Sequence, residues 1–448
     1  MKETKTALFR AAVFWALFAL ALYPVTRVFS HHPDYRSYHI LGGFYAQEAG
    51  SLDAVYLGSS NCYAFWNALT AWHNCGLVVY PYATPEQPFY AVEYLIREVR
   101  KTQPNARFIV SVNAVEADDL TPGGAHYLLN YMPESAEKRA LTDRLCDLMG
   151  YGWLDRLEFR FPWLRLRELW YDRLTNGPVP GLDGLNGAST YADYLSGVED
   201  ISGDYLETES HSALPDALVE TVDSLLDYCG REDVEVLFVS VPRAEEHYRA
   251  VGRINAVCAM LRDRGCEVLD LSDQAAALGL DMTQDFYNEK HTNIHGSIKF
   301  THALCERLAE RYGMSDRRGD ATYADWEAAW DRYAEVITPW VLDIELDVPH
   351  RDWALPSPRG LEAVAGEGVA RIRWTASRGA EGYSVYRKAG EDGAWICVGD
   401  TAETRFEDPE GPAAGECRYT VVPWRRVAGE TLYGDFLYGG VALAAADG

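Results

Sequence analysis

A chain of 448 residues is longer than one compact core usually holds, so two or three structural units are expected. Hydrophobic residues at 48% and charged residues at 24% exclude a disordered, collagenous or low-complexity chain. The net charge of −26 repels phosphate backbones and anionic headgroups, which argues against nucleic acid as a partner.

Residues 1–30 set the expected compartment. Lys2, Lys5 and Arg10 precede an apolar run from Ala11 to Thr26, with no charge before Arg27. A bilayer span takes roughly 17–25 residues, and arginines at both ends can snorkel to the interfaces. The segment reads as a single N-terminal signal anchor and transmembrane helix. By the positive-inside rule its basic flank stays cytoplasmic, giving a single-pass cell-membrane protein with an extracytoplasmic body. A cleaved signal peptide, with Ala19-Leu20-Ala21 as the small-x-small site, and a buried globular helix are the other readings. The nine cysteines show no CxxC or metal-ligand spacing, so no disulfide framework is expected. Cys397 and Cys417 share the C-terminal unit and would pair if strand geometry allowed.

Through the body, short apolar runs alternate with helical patterns, which predicts a parallel sheet flanked by helices. Strands are expected at 54–57, 77–80, 108–112, 234–241 and 267–271, and helices at 88–101, 215–229, 244–264 and 296–312. Between the third strand and the helix at 215 lies an aromatic insertion, about 118–214, centred on FRFPWLRLRELWYDRL. Its Trp153, Phe161, Trp163 and Trp170, with Arg160, Arg165 and Arg167, either line a sugar cleft or cover the open sheet and lie against the bilayer; covering is the expectation. A helical linker, YADWEAAWDRYAEV, falls within 314–353. From 354 to 448 short alternating strands with turn residues between them predict an all-β sandwich.

Chemistry concentrates at two places. DAVYLGSSN puts Gly58, Ser59 and Ser60 directly after the first strand, where open parallel sheets hold their ligands, although a turn serine capping the next helix has the same sequence. DFYNEKHTNIHGSIKFTHAL places a polar loop after the fifth strand and before the last helix. A serine nucleophile needs a base within hydrogen-bond reach, and this loop can deliver His291 to Ser60. His295, beside Gly296, reads as an N-terminal helix residue; a metal site using His291 and His295 lacks an evident third ligand.

The pairing resembles the SGNH/GDSL hydrolase superfamily, in which the serine follows the first strand and the histidine sits in a late DxxH motif. Gly58-Ser59-Ser60 matches Gly-Asp-Ser, and HTNIHGSIKFT resembles the HxNxxGxxKFT version of its membrane-anchored, cell-envelope members. The match spans about 50–313 and implies a three-layer SGNH-like α/β domain with Ser60 as nucleophile and His291 as base. It also implies an oxyanion hole made by Ser60, a second-strand position falling on Ala83 and a third-strand asparagine falling on Asn113, with Asn61 as a rival donor. The family aspartate three residues before the histidine is Asn288 here, which leaves two readings: its carbonyl oxygen orients His291 without supplying charge, making the triad a dyad, or Asp285 or Glu289 substitutes for the acid. In the C-terminal unit, Trp374, Tyr383 and Tyr419 resemble the second-, third- and sixth-strand aromatics of the fibronectin type III family.

The resemblance implies serine-dependent ester hydrolysis or O-acyl transfer on a cell-envelope polysaccharide or other acylated glycan, with a membrane-bound O-acyltransferase as partner and no cofactor. The alternative is a non-catalytic surface binding protein with a degenerate SGNH domain.

Overall fold

The computed structural model describes residues 2–28, 36–115, 120–166, 181–189, 211–243, 248–281, 285–288, 290–344, 355, 358–366, 368–390, 395–411, 417–427, 430–434 and 440–445. Glu289, Arg167 and Trp170 lie outside these residues, as do the first four positions of the helix expected at 244–264.

The first helix, α1 (Lys2–Val28), contains a 19-residue stretch, Thr6–Pro24, with a mean hydropathy of 1.7 and no buried part. It is long and apolar enough to cross a membrane. Helix α2 (Arg36–Tyr45) follows and buries Ile40, Leu41 and Phe44 in the main core. The central sheet has five parallel strands in the order β2-β1-β3-β4-β5: β1 (Ala54–Gly58), β2 (Val79–Ala83), β3 (Arg107–Ser111), β4 (Val236–Ser240) and β5 (Val268–Asp270). Strand β1 is buried at every position, as a strand covered on both faces must be. Strand β2 runs three residues past the expected end. It tolerates Pro81 because it is an edge strand, where a missing N–H leaves no ladder partner unsatisfied.

The connections fix the layers. Helices α3 (Ser60–Phe65) and α4 (Ala68–Cys75) carry the chain from β1 outward to β2. Helices α5 (Val92–Val99), α10 (Asp216–Glu232) and α11 (Tyr248–Asp263) carry it the opposite way, from β2 through β3 and β4 to β5. Because parallel crossovers are right-handed, reversing direction puts the two sets on opposite faces. Between β3 and α10 lie α6 (Pro122–Leu129), α7 (Ala136–Leu148), α8 (Trp153–Arg160) and α9 (Pro162–Leu166).

After β5 the chain forms a small hairpin, β6 (Phe286–Asn288) and β7 (His291–Thr292). Helix α12 (Ile294–Tyr312) then packs on α3 and α4. Helix α13 (Ala324–Ile344) covers the expected linker, but it is more than a connector. Its Trp326, Trp330 and Tyr333 are buried in the main core, and Tyr333 Oη receives a hydrogen bond from Asn67 Nδ2.

The C-terminal region is antiparallel. Strands β8 (Arg359–Ala365), β9 (Ala370–Thr375) and β12 (Arg405–Asp408) form one sheet. Strands β10 (Gly382–Ala389), β11 (Trp395–Thr401), β13 (Cys417–Val427), β14 (Glu430–Tyr433) and β15 (Val441–Ala442) form the other. The sheets share one core, in which Ile372 and Trp374 of the first meet Tyr383, Val385, Tyr419 and Val421 of the second. The alternation in β9, buried at Ala370, Ile372 and Trp374 and exposed between them, is the period of two that the sequence showed. Cys397 and Cys417 do not pair: β11 and β13 flank β10 on opposite edges, two strand spacings apart, beyond disulfide reach.

Candidate active site at the carboxyl edge of the sheet

The strand order reverses direction at β1, so the carboxyl ends of β1 and β3 flank a topological switch point, the place where open parallel sheets leave a crevice. Strand β1 ends in Gly58, and the chain turns at once into α3 through Ser59, whose backbone is extended (φ −87°, ψ −158°). Gly58 is required by close approach: a Cβ there would lie 2.7 Å from Ser111 Cβ and 2.9 Å from Cys62 Cβ. Ser59 makes no side-chain cap bond to α3; its hydroxyl donates to Asn61 Oδ1 at 2.9 Å. Ser60 is the first residue of α3 and is half-buried.

Ser60 and His291, separated by 231 positions, meet there: Ser60 Oγ lies 2.7 Å from His291 Nε2. On the other side of the ring, His291 Nδ1 lies 2.9 Å from Asn288 Oδ1. The same oxygen accepts the backbone N–H of Lys290 at 2.9 Å and of His291 at 3.1 Å. Those two backbone donors require an oxygen at that position, so the Asn288 carboxamide cannot be flipped, and its oxygen accepts from His291 Nδ1–H. The remaining ring nitrogen, Nε2, is then unprotonated and accepts from the Ser60 hydroxyl. Burial lowers the His291 pKa to about 4, aided by the positive charges of Arg243, Lys290 and Arg36. The ring is therefore neutral at pH 7.

Asp285 does not stand in for the missing acid. Its Oδ2 accepts from Lys299 Nζ at 2.7 Å and from the Asp281 N–H at 2.6 Å, while its own carbonyl receives the Asn293 N–H at 3.0 Å. It anchors the hairpin that carries His291 instead of touching the ring. The side-chain amides of Asn61 and Asn113 also hold loops together. Asn61 Nδ2 donates to Lys290 O at 3.1 Å, joining the serine helix to the histidine hairpin. Asn113 Oδ1 accepts the Val241 N–H at 2.8 Å and bridges the segments after β3 and β4. Ala83 is the last residue of β2 and pairs in register with Gly58.

The rest of the HTNIHGSIKFT stretch docks the segment carrying His291 onto α3 and α4. Thr292 Oγ1 donates to Ala64 O at 2.6 Å, and Thr301 Oγ1 donates to Phe65 O at 3.2 Å while accepting the Asn67 N–H at 2.9 Å. Asn293 caps α12 by accepting the N–H groups of His295 and Gly296. A Cβ at Gly296 would sit 2.1 Å from the Asp285 carbonyl oxygen, so only glycine lets α12 close onto the hairpin. Sequence reasoning named none of these positioning roles, which fall to Thr292, Asn293, Gly296 and Thr301. It also passed over Arg243, buried just beyond β4, and Arg36, whose guanidinium lies 5.3 Å from the Tyr63 ring centroid. Among the described residues no group of three or more His, Cys, Asp or Glu side chains is arranged to hold a metal ion.

No family model matches the chain, and no curated protein matches it. Among solved structures, an Fn3-like protein from Clostridium thermocellum is 24% identical over 21% of this chain and 96% of its own, with a TM-score of 0.16. A structure of titin kinase and its flanking domains is 20% identical over 20% of this chain and 16% of its own, with a TM-score of 0.15.

Proposed function

We propose that this protein is a membrane-anchored serine esterase or O-acyltransferase of the SGNH type, acting on an acylated cell-envelope glycan, with a C-terminal fibronectin type III module. The observation that carries the reading is the relay Ser60 Oγ, His291 Nε2 and Nδ1, Asn288 Oδ1, with contacts of 2.7 Å and 2.9 Å. In this mechanism Ser60 Oγ attacks the ester carbonyl carbon while His291 Nε2 takes the hydroxyl proton. The tetrahedral oxyanion collapses by breaking the bond to the sugar oxygen, which leaves with the proton returned by His291. Water or another sugar hydroxyl then attacks the Ser60 acyl-enzyme, losing its proton to His291 in turn. Main-chain N–H groups at Ser60, Asn61 and Ala83 are the oxyanion donors of this reading, since the Asn61 and Asn113 side chains hold loops.

The test is labelling of the protein with a fluorophosphonate and release of p-nitrophenol from its acetate ester. Both are expected from the wild type and from neither Ser60→Ala nor His291→Ala. An unlabelled wild type that nonetheless binds envelope polysaccharide would favour the second reading, a glycan-binding surface protein. Asn288 in place of an acid is the observation on that side, because a neutral amide gives the imidazolium no charge stabilisation.

A further inference from the structure

Large apolar side chains exposed on a soluble surface are usually scattered singly, and here they are not. Outside α1, the exposed ones among the described residues are Trp153, Leu154, Phe161, Leu182 and Ile396. Three of the five fall within nine residues of α8 and the turn into α9, at 69%, 59% and 44% exposure. Within the same segment, Phe159 and Leu166 are buried, with Phe159 stacked on His126 at 4.1 Å. The α8–α9 segment therefore commits Phe159 and Leu166 to the protein while Trp153, Leu154 and Phe161 cover none of it. The exposure of Trp153 and Phe161 departs from the sheet-covering half of their expected role and leaves its other half, contact with the bilayer.

Helix α9, which follows directly on these exposed side chains, packs against α1. Leu182, the fourth exposed side chain, lies against Gly42 of α2, the helix that follows α1. The exposed apolar side chains thus sit next to the two elements, α9 and α2, that pack against or follow α1.

We propose that the α8–α9 turn is a membrane-contacting surface, with Trp153, Leu154 and Phe161 inserted into the interfacial layer of the bilayer that α1 crosses. The chemistry suits that occupant. Tryptophan combines a large apolar body with one N–H that prefers a wet boundary, and short helices with a single apolar face lie in the plane of an interface. Two attachments, a span and an interfacial foot, would fix the orientation of the body over the bilayer instead of leaving it on a swivel. The proposal uses the reading of α1 as a membrane span and is independent of the chemistry of Ser60.

The experiment uses the full chain reconstituted in phosphatidylcholine–phosphatidylglycerol vesicles containing alkyne-tagged lipid, with a photoreactive benzophenone side chain introduced singly at Trp153, Leu154 or Phe161. Leu17 in α1 is the positive control and Ile396 in β11, exposed but in the C-terminal sandwich, the negative one. The expected result is tagged-lipid adducts at 153, 154 and 161 at least fivefold above those at 396. Adducts at 17 with none at 153–161 overturn the proposal, as does a cross-link from these positions to a second copy or to another protein. Absence of adducts at 17 as well removes the span and overturns it from the other side. All the substituted side chains are exposed, so the fold does not depend on them.

Discussion

Asn288 Oδ1 accepts from His291 Nδ1 at 2.9 Å while also holding the two backbone N–H groups at Lys290 and His291. One neutral oxygen thus fixes the ring's tautomer, its orientation and the tight turn on which it stands. What it does not supply is charge. Burial and the positive charges of Arg243, Lys290 and Arg36 all disfavour the protonated ring.

Replacing Asn288 with aspartate keeps the geometry and adds the missing charge. The expected outcome is a rise of about tenfold or more in the rate of p-nitrophenyl acetate turnover, a part of the roughly hundredfold or greater effect of a positioned acid or base. The pH profile gives the sharper signature. In the wild type the acid limb falls near pH 4, where His291 takes up its proton, and in Asn288→Asp it moves up toward the ordinary 6.5. A limb that stays near 4 would show that the carboxylate does not reach the ring.

The same lowered proton affinity makes the fold acid-sensitive. Below 6.5 the unfolded chain protonates the His291 ring, whereas the folded chain resists until about 4, so stability is greatest above this window and declines as pH falls through it. The contribution at stake is on the order of 3 kcal/mol. His73 and His126, both lowered chiefly by burial, act in the same direction. Melting temperatures recorded from pH 7 to pH 4 should therefore fall less steeply for His291→Gln than for the wild type. Parallel curves would contradict the burial argument.

Asp285 and Lys299 form an ion pair on the support of the histidine hairpin, with Asp285 almost fully buried. Removing one charge strands the other, at a cost of about 3 kcal/mol for Asp285→Asn. Ser60-dependent turnover should drop with it as the hairpin loosens. The double replacement Asp285→Leu with Lys299→Met removes both charges and should recover most of the stability in urea denaturation. A double mutant as unstable as the sum of the single ones would mean the two residues act separately.

Much of this was readable from the chain because it is local. Strand runs ending in GSS and a polar loop before a helix are contiguous patterns, and the five strands lie within a few residues of the expected positions. The partner of His291 was harder. Asp285 and Asn288 both lie near it in sequence, and only the hairpin register, which pairs Asn288 with His291, shows which one faces the ring. Helix α2 was missed because RSYHILGGFY carries two adjacent glycines that weaken a helical pattern; its support is tertiary, from Phe44 packed edge-on against Tyr82 at 4.9 Å. The role of α13 was hidden for a similar reason. Tryptophans on a helix show that one face is apolar, but not that Asn67, more than 250 positions away, waits for Tyr333.

The C-terminal sandwich has its own point of failure, at Asp408 on β12. Its buried Oδ2 receives Arg387 Nη1 at 2.6 Å from β10 and Tyr419 Oη at 2.7 Å from β13, and Oδ1 receives the Glu410 N–H at 3.0 Å. One carboxylate therefore ties the two sheets together through two donors of the other sheet and holds its own turn with the third. Asp408→Ala leaves a guanidinium and a phenol without that acceptor inside the sandwich and should cost about 3 kcal/mol, whereas Tyr419→Phe, which removes a single hydroxyl, should cost about 1 kcal/mol. Because the aspartate shares no bond with the serine site, fluorophosphonate labelling of Ser60 should survive in Asp408→Ala while limited proteolysis cuts the region after 358. Loss of labelling in step with proteolysis would show instead that the sandwich and the parallel sheet unfold as one cooperative unit.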